Sequence, residues 1–167
     1  AKGRAREVEE RIQRSTAVGN ARIAKMKLRD DLLTELIDEA KSSVGSVVDT
    51  PAYPELVKKL IVQGLIKIEE MEALVVCRAK DLSVVQAVLD DAVAEYKAAV
   101  LRETGSTVDP KVTVNTLEKK MLNESQYCGG VIVTALHGRI VCDNTLDARV
   151  QLVYEELMPQ IREQHRV

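Results

Sequence analysis

Cys128, His137 and Cys142 lie close together in the sequence, and a thiol beside an imidazole is the smallest set that could support nucleophilic catalysis or begin a metal site. The surrounding residues do not complete either one. No CxxC, HxxxH or paired carboxylate adds further ligands; His137-Gly138 reads as a two-residue turn, and Cys142 falls in a strand-like run. Glu9/Glu10, Glu69/Glu70 and Glu155/Glu156 are adjacent on helical segments and therefore point to different faces, as solvating charges do. Neither GxxxxGK[ST] nor GxGxxG occurs, and Gly129-Gly130 precedes a strand-like run instead of opening a helix, so no phosphate cradle is indicated. His165 falls where it would interact with the dipole of the last helix. The residue inventory predicts no catalytic residue, no metal ligand and no cofactor.

These residues belong to a chain of 167 residues, enough for one ordinary domain or a smaller domain with an extended element. Phe and Trp are absent, so any core is built from aliphatic side chains, which suits long helices and thin layers. The net charge of −2 conceals an asymmetry: residues 1–29 hold nine Lys/Arg against three Asp/Glu, and the remainder fifteen against twenty-three. A basic arm of this kind fits an acidic partner helix. It could also contact nucleic acid through Arg4, Arg6, Arg11, Arg14, Arg22, Lys25, Lys27 and Arg29, but no aromatic residues are interleaved to stack bases. Three cysteines with no secretory-type segment argue against a disulfide framework and for a reducing, cytosolic setting. No apolar run approaches the roughly 20 residues that span a bilayer, so membrane association is expected through partners. The chain opens on Ala1 inside a helical pattern, as a fragment would.

The elements that must position these residues follow from spacing. Residues 4–48 lack Pro and hold Gly only at 19 and 45, predicting one helix nearly 70 Å long at about 1.5 Å per residue. A line through Val8, Ile12, Ser15, Gly19, Ile23, Met26, Asp30, Leu33, Ile37, Ala40, Val44 and Val48 advances about 3.64 residues per step, near an eleven-residue repeat and a straight or right-handed pairing. Leu28, Leu32 and Leu36 widen the face over residues 28–48, where the chain's own head could cover it. Over residues 1–27 an external helix is the expected cover.

Beyond Pro51, helical spacing returns over residues 53–71 and 82–102, the latter capped by Asp81 and stopped at Gly105; residues 73–77, 111–115, 131–134 and 139–142 read as strands, the last two as a hairpin. A polar stretch over 116–126 has room for one helical turn. Asn144 is the expected N-cap of a last helix carrying Leu146, Val150, Val153, Leu157 and Ile161 on one side, with Pro159 kinking or fraying its end. The expected fold is α+β: a long amino-terminal amphipathic helix, then a small four-stranded sheet covered by helices, with an arm at 1–48 and a head at 49–167.

Four segments carry a family resemblance: residues 20–27 (NARIAKMK), residues 76–81 (VCRAKD), Gly129-Gly130-Val131, and residues 142–149 (CDNTLDAR), with residues 158–162 (MPQIR) in support. Together they resemble the E-type stalk family of the eukaryotic vacuolar-type proton ATPase, related to archaeal-type stalk proteins. Gly129, Gly130, Asn144, Thr145, Leu146 and Arg149 form its most specific signature. The resemblance implies a non-catalytic peripheral stalk, or stator. Val8, Ile12, Ile23, Met26 and Leu33 would face a helix of the G-type stalk protein, and the head would bind the catalytic hexamer and other stator components. It also implies a cytosolic position on acidic-organelle membranes, no nucleic acid, and family members extending beyond both ends of this chain. Two readings from other classes stand against it: a thiol-dependent enzyme using Cys128, Cys142 and His137, and a nucleic-acid-binding arm.

Overall fold

A computed structural model describes residues 2–117 and 121–164, so His165 lies outside the described residues. The chain divides into two compact units, Ala1–Glu39 and Ala40–Val167. Helix α1 runs Lys2–Gly45 and gives way to a 3₁₀ turn at Ser46–Asp49, closed where the Thr50 amide and hydroxyl both donate to the Val47 carbonyl at 3.1 and 2.7 Å. Helix α2 occupies Tyr53–Ile68, with Pro54 in its first turn, where its missing N–H costs nothing. It ends earlier than the apolar spacing predicts, because Glu69 turns into the left-handed region (φ 55°) and its amide bonds back to Leu65 at 3.0 Å.

The sheet consists of β1 (Glu72–Val76), β2 (Lys111–Val114), β3 (Gly130–Ala135) and β4 (Ile140–Thr145) in the order β2-β1-β3-β4. β1 and β2 are parallel, joined through α3 (Leu82–Thr104), and β3 is antiparallel to both neighbours. The fold is therefore α+β with a mixed sheet, and α4 (Leu146–Gln164) closes the described chain. Helix α3 stops at Gly105, whose left-handed φ of 69° lets its amide reach the Leu101 carbonyl at 2.9 Å. The polar stretch after β2 includes a turn in which Gln126 and Tyr127 both donate to the Asn123 carbonyl.

Period-two alternation sorts the strands into two faces. Ala73, Val75, Val131, Val133 and Ala135 are buried in one core with Val57, Ile61, Leu65, Val85 and Ala92 of α2 and α3, and Val44 and Val48 pack at its margin. Leu74, Val76, Ile132 and Thr134 point the other way and are half-buried.

Two local expectations are corrected. The β3–β4 connection is a four-residue loop, Ala135 pairing with Ile140, in which Leu136, His137 and Gly138 all take positive φ (49°, 58°, 86°). Asn144 is buried in β4, and the helix-capping bond comes from Thr145, whose hydroxyl accepts from the Ala148 amide at 3.2 Å. Helix α4 continues through Pro159 to Gln164, where the proline removes one intrahelical bond without ending the helix.

Asp81 does not cap α3 with its side chain. Its carboxylate takes both arms of the Arg78 guanidinium, Nε to Oδ2 at 2.7 Å and Nη2 to Oδ1 at 3.1 Å, while Nη1 donates to the Tyr127 carbonyl at 3.3 Å. Both residues are buried. Their closeness holds the Arg78 guanidinium above its ordinary value, the bond to Asp81 being the main cause. A desolvated pair of this kind is costly to break and cheap to replace as a unit. Arg78→Ala or Asp81→Ala should lower unfolding free energy by about 3–5 kcal/mol in urea melts, whereas Arg78→Met with Asp81→Leu should recover most of that loss.

Candidate interaction surfaces

The signature residues form an internal lock. Gly130 sits at φ 89°, and a methyl group there would lie 2.7 Å from the Asn144 carbonyl and 2.9 Å from Thr145 Cα, so only glycine lets the hairpin close at this point. The Gly130 amide donates to the Tyr53 hydroxyl at 3.0 Å, and the Leu146 amide donates to the Gly129 carbonyl at 3.0 Å, tying the start of β3 to α2 and α4. Asn144 Nδ2 donates to the Leu60 carbonyl of α2 at 2.8 Å. One turn on, Gly64 presses against Val133, where a β-carbon would stand 2.5 Å from Cγ2. Asp147 accepts from the Cys128 amide at 2.7 Å, and Arg149 at the surface donates to Gln63 at 2.8 Å. Leu146 and Thr145 are buried. The motif thus joins α2, β3, β4 and α4. The sequence placed Asn144 as a helix cap and Arg78 and Asp81 inside the resemblance segment 76–81, but gave no sign that Asn144 binds α2 or that Arg78 and Asp81 pair with each other, although opposite charges three residues apart were a visible signal.

The candidate thiol site does not assemble. Cys128 precedes β3 and His137 follows it, which at about 3.3 Å per residue puts them at opposite ends of the hairpin, roughly 16 Å apart along the strand. Cys142 pairs with Val133 midway. Burial, with Asp147 beside it, raises the Cys128 thiol above its ordinary value, the reverse of what a reactive thiolate needs. Cys77 is fully buried, and burial, helped by Asp81, pushes its thiol up to about 11. Among the described residues no group of three or more His, Cys, Asp or Glu could hold a metal ion.

In the first unit, Val8, Ile12, Ile23 and Met26 are 55, 60, 66 and 70% exposed and Leu33 is half-buried. Leu28, Leu32 and Leu36 are exposed as well. Side chains this apolar and this exposed at helical spacing constitute an uncovered stripe. No described helix is long and apolar enough to cross a membrane.

A long amphipathic helix with an uncovered stripe, followed by an α+β unit locked by a glycine-asparagine motif, defines a class with an identifiable relationship. The family model described as ATP synthase (E/31 kDa) subunit matches residues 1–164, and the chain belongs to that family. It is 34% identical to the V-type proton ATPase E subunit of Dictyostelium discoideum over 95% of this chain and 68% of that protein. It is 36% identical to the Drosophila melanogaster protein of the same name over 93% and 66%, and 36% identical to the V-type proton ATPase E1 subunit of Arabidopsis thaliana over 93% and 69%. The chain therefore spans about two thirds of the length of these relatives.

The lock and the buried thiol generate two expected outcomes. Gly130→Ala should cost on the order of 2–4 kcal/mol in thermal or urea unfolding, from positive φ and backbone overlap together. Because the folded Cys77 thiol is raised from 9.0 to about 11, its burial contributes stability fully present below pH 9 and lost as pH rises towards 11. Urea midpoints should fall across that window, and Cys77→Ala should flatten the slope. Tyr53, also raised by burial, adds a residual decline at the upper end.

Proposed function

We propose that the chain is a non-catalytic stator component of a proton-translocating rotary ATPase, with residues 1–48 pairing with a helix of the G-type stalk protein and residues 49–167 docking on the catalytic hexamer. The observation that carries this reading is the exposed apolar stripe of Val8, Ile12, Ile23 and Met26 on a helix bearing nine Lys/Arg against three Asp/Glu over residues 1–29. Such a helix gains little from burial on its own and is marginal in water, so a second helix supplies the missing apolar cover. An acidic flank on that helix would match the basic surface. Membership of a family whose relatives are named as E subunits of V-type proton ATPases supports the assembly.

The mechanism is mechanical. ATP hydrolysis that turns a central rotor exerts an equal and opposite torque on the catalytic hexamer, and work is delivered to proton movement only if that hexamer is held to the stationary membrane part. A helix pair carries tension and bending, and a head with a locked core transmits the load without internal slip. Chemistry on ATP and protons then belongs to other components, and this chain resides on the cytosolic face of acidic-organelle membranes through the assembled pump.

Burial of each isoleucine at a helix interface is worth about 1.5–3 kcal/mol, so Ile12→Asp with Ile23→Asp should weaken the pair by a factor on the order of 100 or more. Co-expression with the G-type stalk protein and size-exclusion chromatography measure this directly. Intact co-elution of the double variant would overturn the reading, and a circular dichroism melt of the second unit should be unchanged by it.

A further inference from the structure

The outer face of the sheet, opposite the core, is built to receive something. Its floor is Leu74 and Val76 of β1 and Ile132 of β3, all half-buried, with Val141 of β4 56% exposed at one side. None of the four belongs to the core cluster that α2 and α3 share with the other face. A hollow of about 680 Å³ lies over the β1–β2 part of this face, lined by Glu70 to Leu74 and Val76, by Lys111, Thr113 and Asn115, and by Thr134 to Gly138, with Ile132 and Val141 continuing the face beside it. Two exposed apolar side chains, Met71 and Leu136, stand on its rim. Leu136 is exposed and also held at positive φ, a conformation that a bulky residue rarely adopts, so the loop presents it at a cost in local energy.

We propose that this face docks a basic amphipathic helix of another component of the pump, which deepens the stator function by naming the head's docking surface and rests on that reading. A helix is the usual cover for an apolar sheet face. Four strands about 4.8 Å apart span roughly 14 Å, the length of a helix of about ten residues. The charges select its flanks: among the described residues that line the hollow, Glu70 and Glu72 stand against Lys111, and Asp143, in register with Ile132, lies on the same face beyond it. Lysine or arginine beside the partner's apolar stripe would answer that excess. A second copy of this chain fits poorly, because a two-fold contact through one face sets the same acidic residues against each other.

The test uses the assembled pump with the photo-reactive residue p-benzoylphenylalanine in place of Val141 or, separately, of Ile12, and mass spectrometry of the cross-linked peptides. The proposal expects Val141 products on a helical segment of another polypeptide that carries Lys or Arg beside apolar residues, with yield falling about tenfold in a Glu70→Lys, Glu72→Lys background. Products on a second copy, on a strand or an acidic segment, a yield indifferent to charge reversal, or no product at Val141 would overturn it. Ile12 products on a separate polypeptide in the same preparation show that the stator reading stands when this one fails. Loss of both shows that the stator reading has failed too.

Discussion

The close approach of α2 to the β3–β4 hairpin is the constraint on which the rest of the second unit depends. Three small or short features make it possible: Gly64 facing Val133, Gly130 beneath the Asn144–Thr145 backbone, and the Asn144 amide reaching the Leu60 carbonyl. Each removes bulk or satisfies a polar group at a point where the layers would otherwise be held apart. With the layers in contact, aliphatic residues fill most of the space, and Tyr53 is the one ring on α2 that enters it, its hydroxyl taking the Gly130 amide. A core without Phe or Trp is thin, and a thin core needs backbones close together.

Charge is handled in two ways. Arg78 and Asp81 are withdrawn from water and satisfy each other and Tyr127, fixing the connection between β1 and α3 to the segment before β3. Other ion pairs among the described residues are more open to water: half-buried Lys58 bridges Glu55 and Glu95, joining α2 to α3, and exposed Arg6 meets Glu10 within α1. The surface pairs contribute little individually, whereas breaking the buried pair leaves an uncompensated charge out of water and costs far more.

The order of elements, the four strands and the long first helix could all be read from periodicity, because apolar spacing reports which face of an element is buried. Boundaries were less legible where backbone conformation departed from pattern. Glu69 ended α2 by turning left-handed despite apolar spacing that continued to Met71, and the Leu136–Gly138 loop took three positive φ values where a two-residue turn was expected. Asn144 had the composition of a helix cap and became a buried cross-link, since Thr145 was one residue nearer the helix and the Leu60 carbonyl was within reach. Resemblance marked the signature; its physical meaning needed the packing.

By itself the sequence determined the fold class and the apolar stripe on a basic helix, since both are carried by local composition and spacing, while the family was marked by the resemblance of whole motifs such as residues 142–149. Only the tertiary structure decided that Asn144 reaches the Leu60 carbonyl, that Arg78 and Asp81 form a buried fork, and that one face of the sheet keeps an apolar hollow edged by Glu70 and Glu72. The physical reason is that distance along a chain fixes neighbours on one helix or strand, whereas burial and hydrogen-bond partners across elements are settled by which faces meet when the layers close.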